Sequence, residues 1–273
     1  MTPATRSVEL PNGVRLPYVD QGDPLGVPVL LLHGITDSWR SFELVLPHLP
    51  DSVRTIALSQ RGHGDADRPA AGYRPQDFAA DLAAFMDALE LGPAVIVGHS
   101  MGASIAQRFA IDFPVRTLGL GLVGALATWK GHPDFVALWD SVVSTLTDPV
   151  DPGFVREFQE STLAQPVPPA FFETVVQESL KLPARVWKAA LVEAILEADF
   201  SGELARIQAP TLIFWGDQDA LTRNGQEALM AAIAGSRRVV YPGAGHGLHW
   251  EEPERFASDL TAFVEDLVGR ARY

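Results

Sequence analysis

The run Ala94-Val95-Ile96-Val97-Gly98-His99-Ser100-Met101-Gly102-Ala103-Ser104-Ile105-Ala106-Gln107 constrains this chain more than any other segment. It passes from an apolar, partly β-branched stretch straight into a helical pattern. Glycines stand two residues before and two after Ser100. A turn this tight leaves no room for side chains at those two places, and it forces Ser100 into a strained backbone conformation at the tip. The strain lifts the hydroxyl clear of a sheet. It also aims the positive end of the following helix at any negative charge that develops there. Ser100 is therefore the candidate nucleophile.

The rest of the chain alternates strand-like and helical patterns, which favours a parallel sheet with helices on both faces. Residues 8–10 and 14–19 flank Pro11-Asn12-Gly13 and read as an opening hairpin. Strands are expected at 29–32, 53–58, 94–97, 118–123, 211–215 and 238–241. Helices are expected at 41–49, 75–91, 102–113, 224–234 and 254–268, and a loop at 60–71. From about Thr128 to Ala205 strand-like runs cease. Helices are expected there at 133–146, 152–162, 168–180 and 183–198, several of them opening on a proline, which suits the first turn. The expected organisation is an α/β core formed by 1–127 and 206–273, interrupted by a helical cap or lid over 128–205.

Serine at its ordinary pKa is a weak nucleophile and needs an adjacent base. Gly243-Ala244-Gly245-His246-Gly247 follows the apolar Val239-Val240-Tyr241, so His246 falls just past a strand end and is the expected base. His33, His63 and His99 belong to other motifs or loops, and His48 and His132 have no such setting. His249 is the rival, expected in or near the following helix and pointing elsewhere. The stretch Thr211-Leu212-Ile213-Phe214-Trp215-Gly216-Asp217-Gln218-Asp219 ends a strand on two aspartates. One of them must hold the imidazole in a single tautomer. Asp219 is the choice and Asp217 the alternative. Oxyanion donors are expected at the amide of Met101 and, in the loop His33-Gly34-Ile35-Thr36, at the amide of Ile35.

With these residues in place the sequence resembles the α/β-hydrolase fold superfamily, in its cap-bearing branch of serine hydrolases. The resemblance rests on Leu32-His33-Gly34 with Asp37-Ser38-Trp39, Gln60-Arg61-Gly62-His63-Gly64, Gly98-His99-Ser100-Met101-Gly102, Gly216-Asp217-Gln218-Asp219, and Gly245-His246 with Glu251-Glu252-Pro253-Glu254-Arg255-Phe256. It implies a mostly parallel eight-stranded sheet flanked by helices, with the acid at Asp219 and the base at His246. Relatives that use an aspartate nucleophile, such as epoxide hydrolases and dehalogenases, are set aside by Ser100. In one departure Ser59 stands where relatives often carry an aspartate, so Arg61 is expected to have lost a structural partner.

The implied activity is hydrolysis of a carboxylic ester or lactone of a largely apolar small molecule through an acyl-enzyme, needing neither metal nor cofactor. Alternatives on the same residues are carbon–carbon bond hydrolysis, amidase activity, perhydrolysis, or a ligand receptor that keeps the triad. Candidates for the pocket are His99 and, in the cap, Trp129, Trp139 and Trp187. The formal net charge of −13 speaks against nucleic acid as a partner and mildly against strongly anionic substrates, although solubility alone accounts for it. No apolar run reaches the ~18–20 residues of a membrane span. With no apolar segment behind Met1-Thr2-Pro3-Ala4-Thr5-Arg6, no signal peptide is expected and a cytoplasmic location is the default; the absence of cysteine removes disulfides and thiolate metal sites and says little about compartment. A monomer or a homodimer fits equally.

Overall fold

Short apolar runs build the sheet. In a computed structural model, which describes residues 4–271, eight strands form: β1 (Arg6–Glu9), β2 (Arg15–Gln21), β3 (Val27–Leu32), β4 (Val53–Leu58), β5 (Ala94–His99), β6 (Thr117–Val123), β7 (Thr211–Gly216) and β8 (Arg237–Tyr241). Residues 1–3, where the N-terminal stretch read for a leader begins, lie outside the described residues. The spatial order is β1-β2-β4-β3-β5-β6-β7-β8. β1 pairs with β2, and β2 with β4, in antiparallel register; every later pairing is parallel. Every residue of β5, which lies between β3 and β6, is buried.

Period-two alternation divides the core between the two faces. Leu30, Leu32 and Ile96 pack with Phe78 and Phe85 of α1 (Pro75–Ala88) and with Ile105 and Phe109 of α2 (Met101–Asp112). Their neighbours Val29, Leu31, Val95 and Val97 pack on the other side.

Between β6 and β7 the described residues contain no strand. They form α3 (Pro133–Ser141), α4 (Pro152–Glu160), α5 (Pro169–Leu180) and α6 (Ala184–Ala189), the last continuing into a wider π-helical turn over Ala190–Leu196. After β7 come α7 (Gln226–Ala232), the single turn α8 (Leu248–Glu251) and α9 (Pro253–Ala271). α9 covers the second face through Phe256, Leu260 and Val264. No helix among the described residues is long and apolar enough to cross a membrane.

Two expectations need correction. The helix expected at 41–49 is replaced by two 3₁₀ turns, Trp39–Phe42 and Leu46–His48. Pro47 lacks an N–H and disfavours helical geometry in the residue before it, so no continuous helix can run through this stretch. Arg61 has not lost its partner. Its Nε donates to Asp81 Oδ2 at 2.6 Å and its Nη2 to Asp81 Oδ1 at 2.5 Å, while Nη1 reaches the Gly72 carbonyl at 2.8 Å. The partner comes from α1, far along the sequence. Asn12 Nδ2 completes the site with a 2.8 Å bond to Asp81 Oδ1. The pair is almost wholly buried, so removing one member strands a charge. Arg61→Ala is expected to cost about 3–5 kcal/mol of stability. A denaturation midpoint equal to that of the parent chain contradicts this.

Candidate active site

β5 ends at His99 and α2 begins at Met101, so one residue makes the whole turn. That residue is Ser100, with φ +53° and ψ −115°. Positive-φ backbone of this kind costs a residue with a Cβ on the order of 1–3 kcal/mol. Close packing on either side keeps it in place. A Cβ on Gly98 would sit 2.1 Å from the Gly102 carbonyl oxygen, and one on Gly102 would sit 2.3 Å from that of Leu32. The elbow is thereby wedged against the end of β3, whose following loop supplies Gly34 and Ile35 to the same cavity as Ser100.

His33 braces that loop. Its Nδ1 donates to the Gly34 carbonyl at 2.8 Å and its Nε2 accepts the Gln60 amide at 3.0 Å. Thr36 follows at φ +69°, a second strained residue. The amides of Ile35 and Met101, the expected oxyanion donors, have no protein acceptor among the described residues.

His246 lies in the wall of the same cavity. Its Nδ1 donates to Asp219 Oδ2 at 2.8 Å, which leaves Nε2 with the free lone pair. Asp219 Oδ2 also accepts the Thr222 hydroxyl at 2.6 Å, and Oδ1 accepts the Leu221 amide at 3.1 Å. Burial works against the Asp219 charge, but His246 and these hydrogen bonds outweigh it and hold the carboxyl below its usual pKa. Gly124, at φ +53° just past β6, is where the imidazole lies against the chain: a Cβ there would be 2.9 Å from His246 Nδ1. Asp217 goes elsewhere. Its Oδ1 accepts the Gly243 amide at 2.7 Å, tying down the loop that leads to His246.

His249 falls in α8, where Nε2 lies 3.2 Å from Ser41 Oγ. His99 lines the cavity. Its Nε2 donates to the His246 carbonyl at 3.0 Å, and its Nδ1 is buried without a partner.

The cavity measures about 340 Å³. Much of its wall is apolar, from Phe135, Leu138 and Val142 on the α3 side and Phe154 and Phe158 of α4. Trp129, Trp139 and Trp187 do not line it. Trp187 backs the wall from behind, with its ring 5.3 Å from both Phe154 and Phe158, and Trp129 packs edge-on to His246 at 6.2 Å.

Asp37, Gln159 and Trp250 also line the cavity, and the sequence reading gave them no role. Asp37 Oδ1 accepts Gln159 Nε2 at 3.1 Å, and Oδ2 accepts the Ser41 hydroxyl at 3.4 Å. Gln159 comes from α4 and shares the same nitrogen with Thr36 Oγ1 and Ser179 Oγ. Sequence could have flagged Asp37 only as an acid three residues beyond Gly34. Among the described residues no group of three or more His, Cys, Asp or Glu side chains is placed to hold a metal ion.

Residues 27–253 match the family model of the alpha/beta hydrolase fold. The chain belongs to that family. It is 42% identical over 262 residues to a 2-(acetamidomethylene)succinate hydrolase from Mesorhizobium japonicum, covering 88% of each protein. It is 30% identical to a non-heme chloroperoxidase from Streptomyces lividans, over 95% of this chain and 99% of that one. An esterase from Exiguobacterium antarcticum superposes with a TM-score of 0.86 at 25% identity, covering 96% of this chain and all of the other. These relatives of different activities share the fold and span nearly the whole chain.

Burial raises the Asp37 pKa to about 7 despite its hydrogen bonds. The folded chain therefore holds a proton that the unfolded chain releases near pH 4. The stability this proton confers is complete below that pH and is lost as pH rises to about 7, a loss of roughly 4 kcal/mol. Asn at this position cannot ionise. Asp37→Asn is thus expected to raise Tm relative to the parent by more at pH 8 than at pH 5. A Tm difference independent of pH, read by thermal unfolding in matched buffers, contradicts it.

Proposed function

We propose that this hydrolase-fold protein is a serine esterase or lactonase acting on a largely apolar small molecule, with Ser100, His246 and Asp219 as its triad. The observation that carries the reading is the 2.8 Å contact of His246 Nδ1 with Asp219 Oδ2, in a histidine that shares a cavity wall with Ser100. That bond leaves Nε2 with the lone pair a general base needs.

The reaction proceeds in two halves. Ser100 Oγ attacks the carbonyl carbon as its proton passes to His246 Nε2. The carbonyl oxygen takes the negative charge and is held by the Ile35 and Met101 amides. His246 returns the proton to the leaving oxygen as the carbon–oxygen bond breaks, giving the acyl-enzyme and an alcohol. Water then gives a proton to His246 and attacks the acyl carbon, releasing the acid and restoring Ser100. The imidazolium of each half is stabilised by Asp219, which stays ionised throughout. Residues 128–205 serve in this scheme as a cap that roofs the cavity with Phe135, Phe154 and Phe158. No step calls for a metal or a cofactor.

The esterase likeness and the apolar wall support this choice of substrate. The Mesorhizobium japonicum relative is named for a succinate. A dicarboxylate would meet carboxyl groups and no lysine or arginine in this cavity, so that substrate is not proposed here. The chloroperoxidase relative favours one second reading, in which hydrogen peroxide replaces water in the second half and releases a peracid.

Hydrolysis of p-nitrophenyl butyrate tests the scheme. Ser100→Ala is expected to lower kcat by a thousandfold or more with the circular dichroism unchanged, and undiminished turnover would sink it. Asp219→Asn should cost about 10³–10⁴ in kcat, because the imidazole is then left in the wrong tautomer. Asp217→Asn should stay within a few-fold of the parent, and the reverse ranking contradicts the choice of Asp219.

A further inference from the structure

The side chains that line the cavity include acids and no lysine or arginine. Two of the acids, Asp134 on α3 and Glu157 on α4, are exposed as well as cavity-lining, which puts them at the mouth. Neither forms an ion pair among the described residues. The third, Asp37, is buried at the inner end beside Gly34 and His99.

A second observation at that inner end is independent of the mouth. His99 Nε2 spends its proton on the His246 carbonyl, so Nδ1 presents a bare lone pair. That nitrogen is buried without a partner, and Asp37 Oδ2 stands 4.0 Å away, too far for a hydrogen bond. A buried lone pair of this kind is unsatisfied until a donor reaches it. Mouth and floor thus both favour a ligand that donates protons or carries positive charge. A carboxylate would lose its hydration and find repulsion at the mouth, with no cation to compensate.

We propose that this cavity sorts substrates by charge, admitting esters or lactones with a neutral or ammonium-bearing chain and excluding those with a carboxylate. The proposal rests on the serine-hydrolase reading above and adds the substrate class. The chain's own field acts in the same direction, since its formal net charge is −13.

The test uses three ethyl p-nitrophenyl alkylphosphonates, diesters uncharged at phosphorus and identical except for the chain end: methyl, trimethylammonium or carboxylate. Each reacts by forming a bond from Ser100 Oγ to phosphorus as p-nitrophenolate leaves, so the rate reports entry and attack without any need for turnover. The second-order rate constant is expected to be largest for the ammonium end and at least tenfold smaller for the carboxylate end at low ionic strength. Half-molar salt should narrow the gap, because Asp134 and Glu157 are exposed and screened. The double variant Asp134→Asn, Glu157→Gln should narrow it several-fold. Equal rates for the two charged ends, or a gap that the double variant leaves unchanged, overturn the charge selection. Failure of all three reagents to modify Ser100, the methyl-ended one included, overturns the nucleophile assignment beneath it, so the two failures are told apart.

Discussion

The close approach of the Ser100 turn to the end of β3 is the contact on which the site depends. Gly102 lies against the Leu32 carbonyl and Gly98 against the Gly102 carbonyl, with no space for a methyl group at either place. Positive-φ backbone at Ser100 is unfavourable alone, and it persists because β5 is buried along its whole length and α2 packs onto the sheet. The same contact brings the loop after β3, with its two strained or braced residues Thr36 and His33, next to the first amides of α2. One packing constraint thereby places Ser100 at the start of a helix dipole and in the same cavity as Gly34 and Ile35.

Electrostatics then separates the histidines. Burial holds His33 and His99 well below their ordinary pKa, His63 near 4 and His249 near 3. Such groups resist taking up a proton at neutral pH, which a general base must do. His246 is the histidine with a carboxylate within hydrogen-bond distance among the described residues. The buried neutral histidines serve as struts: His33 braces the loop after β3, and His99 ties β5 to the His246 backbone.

Much of this was legible in the sequence because it is local. The elbow, the strand ends and the glycines flanking Ser100 each occupy a few consecutive residues, and the period-two runs of the strands match their buried faces. Spacing alone does not separate Asp219 from Asp217. In the structure Asp217 meets the Gly243 amide and Asp219 meets His246 Nδ1. Long-range partners left no local trace. Arg61 pairs with Asp81 across 20 residues, and Gln159 reaches Asp37 across 122. The 3₁₀ turns Trp39–Phe42 and Leu46–His48 stand where a helix is expected over 41–49, because Pro47 interrupts it. Trp187 shows the limit of aromatic patterning, since a ring that backs a cavity wall and a ring that forms it look alike in sequence.

The most direct measurement is peptide mapping by mass spectrometry after treatment with an uncharged alkyl fluorophosphonate. A strained Ser100 activated by His246 predicts a single adduct per chain, on the peptide that carries Ser100, and its loss when His246 is replaced by alanine. An adduct on another residue, or an unmodified chain after prolonged treatment, contradicts that prediction.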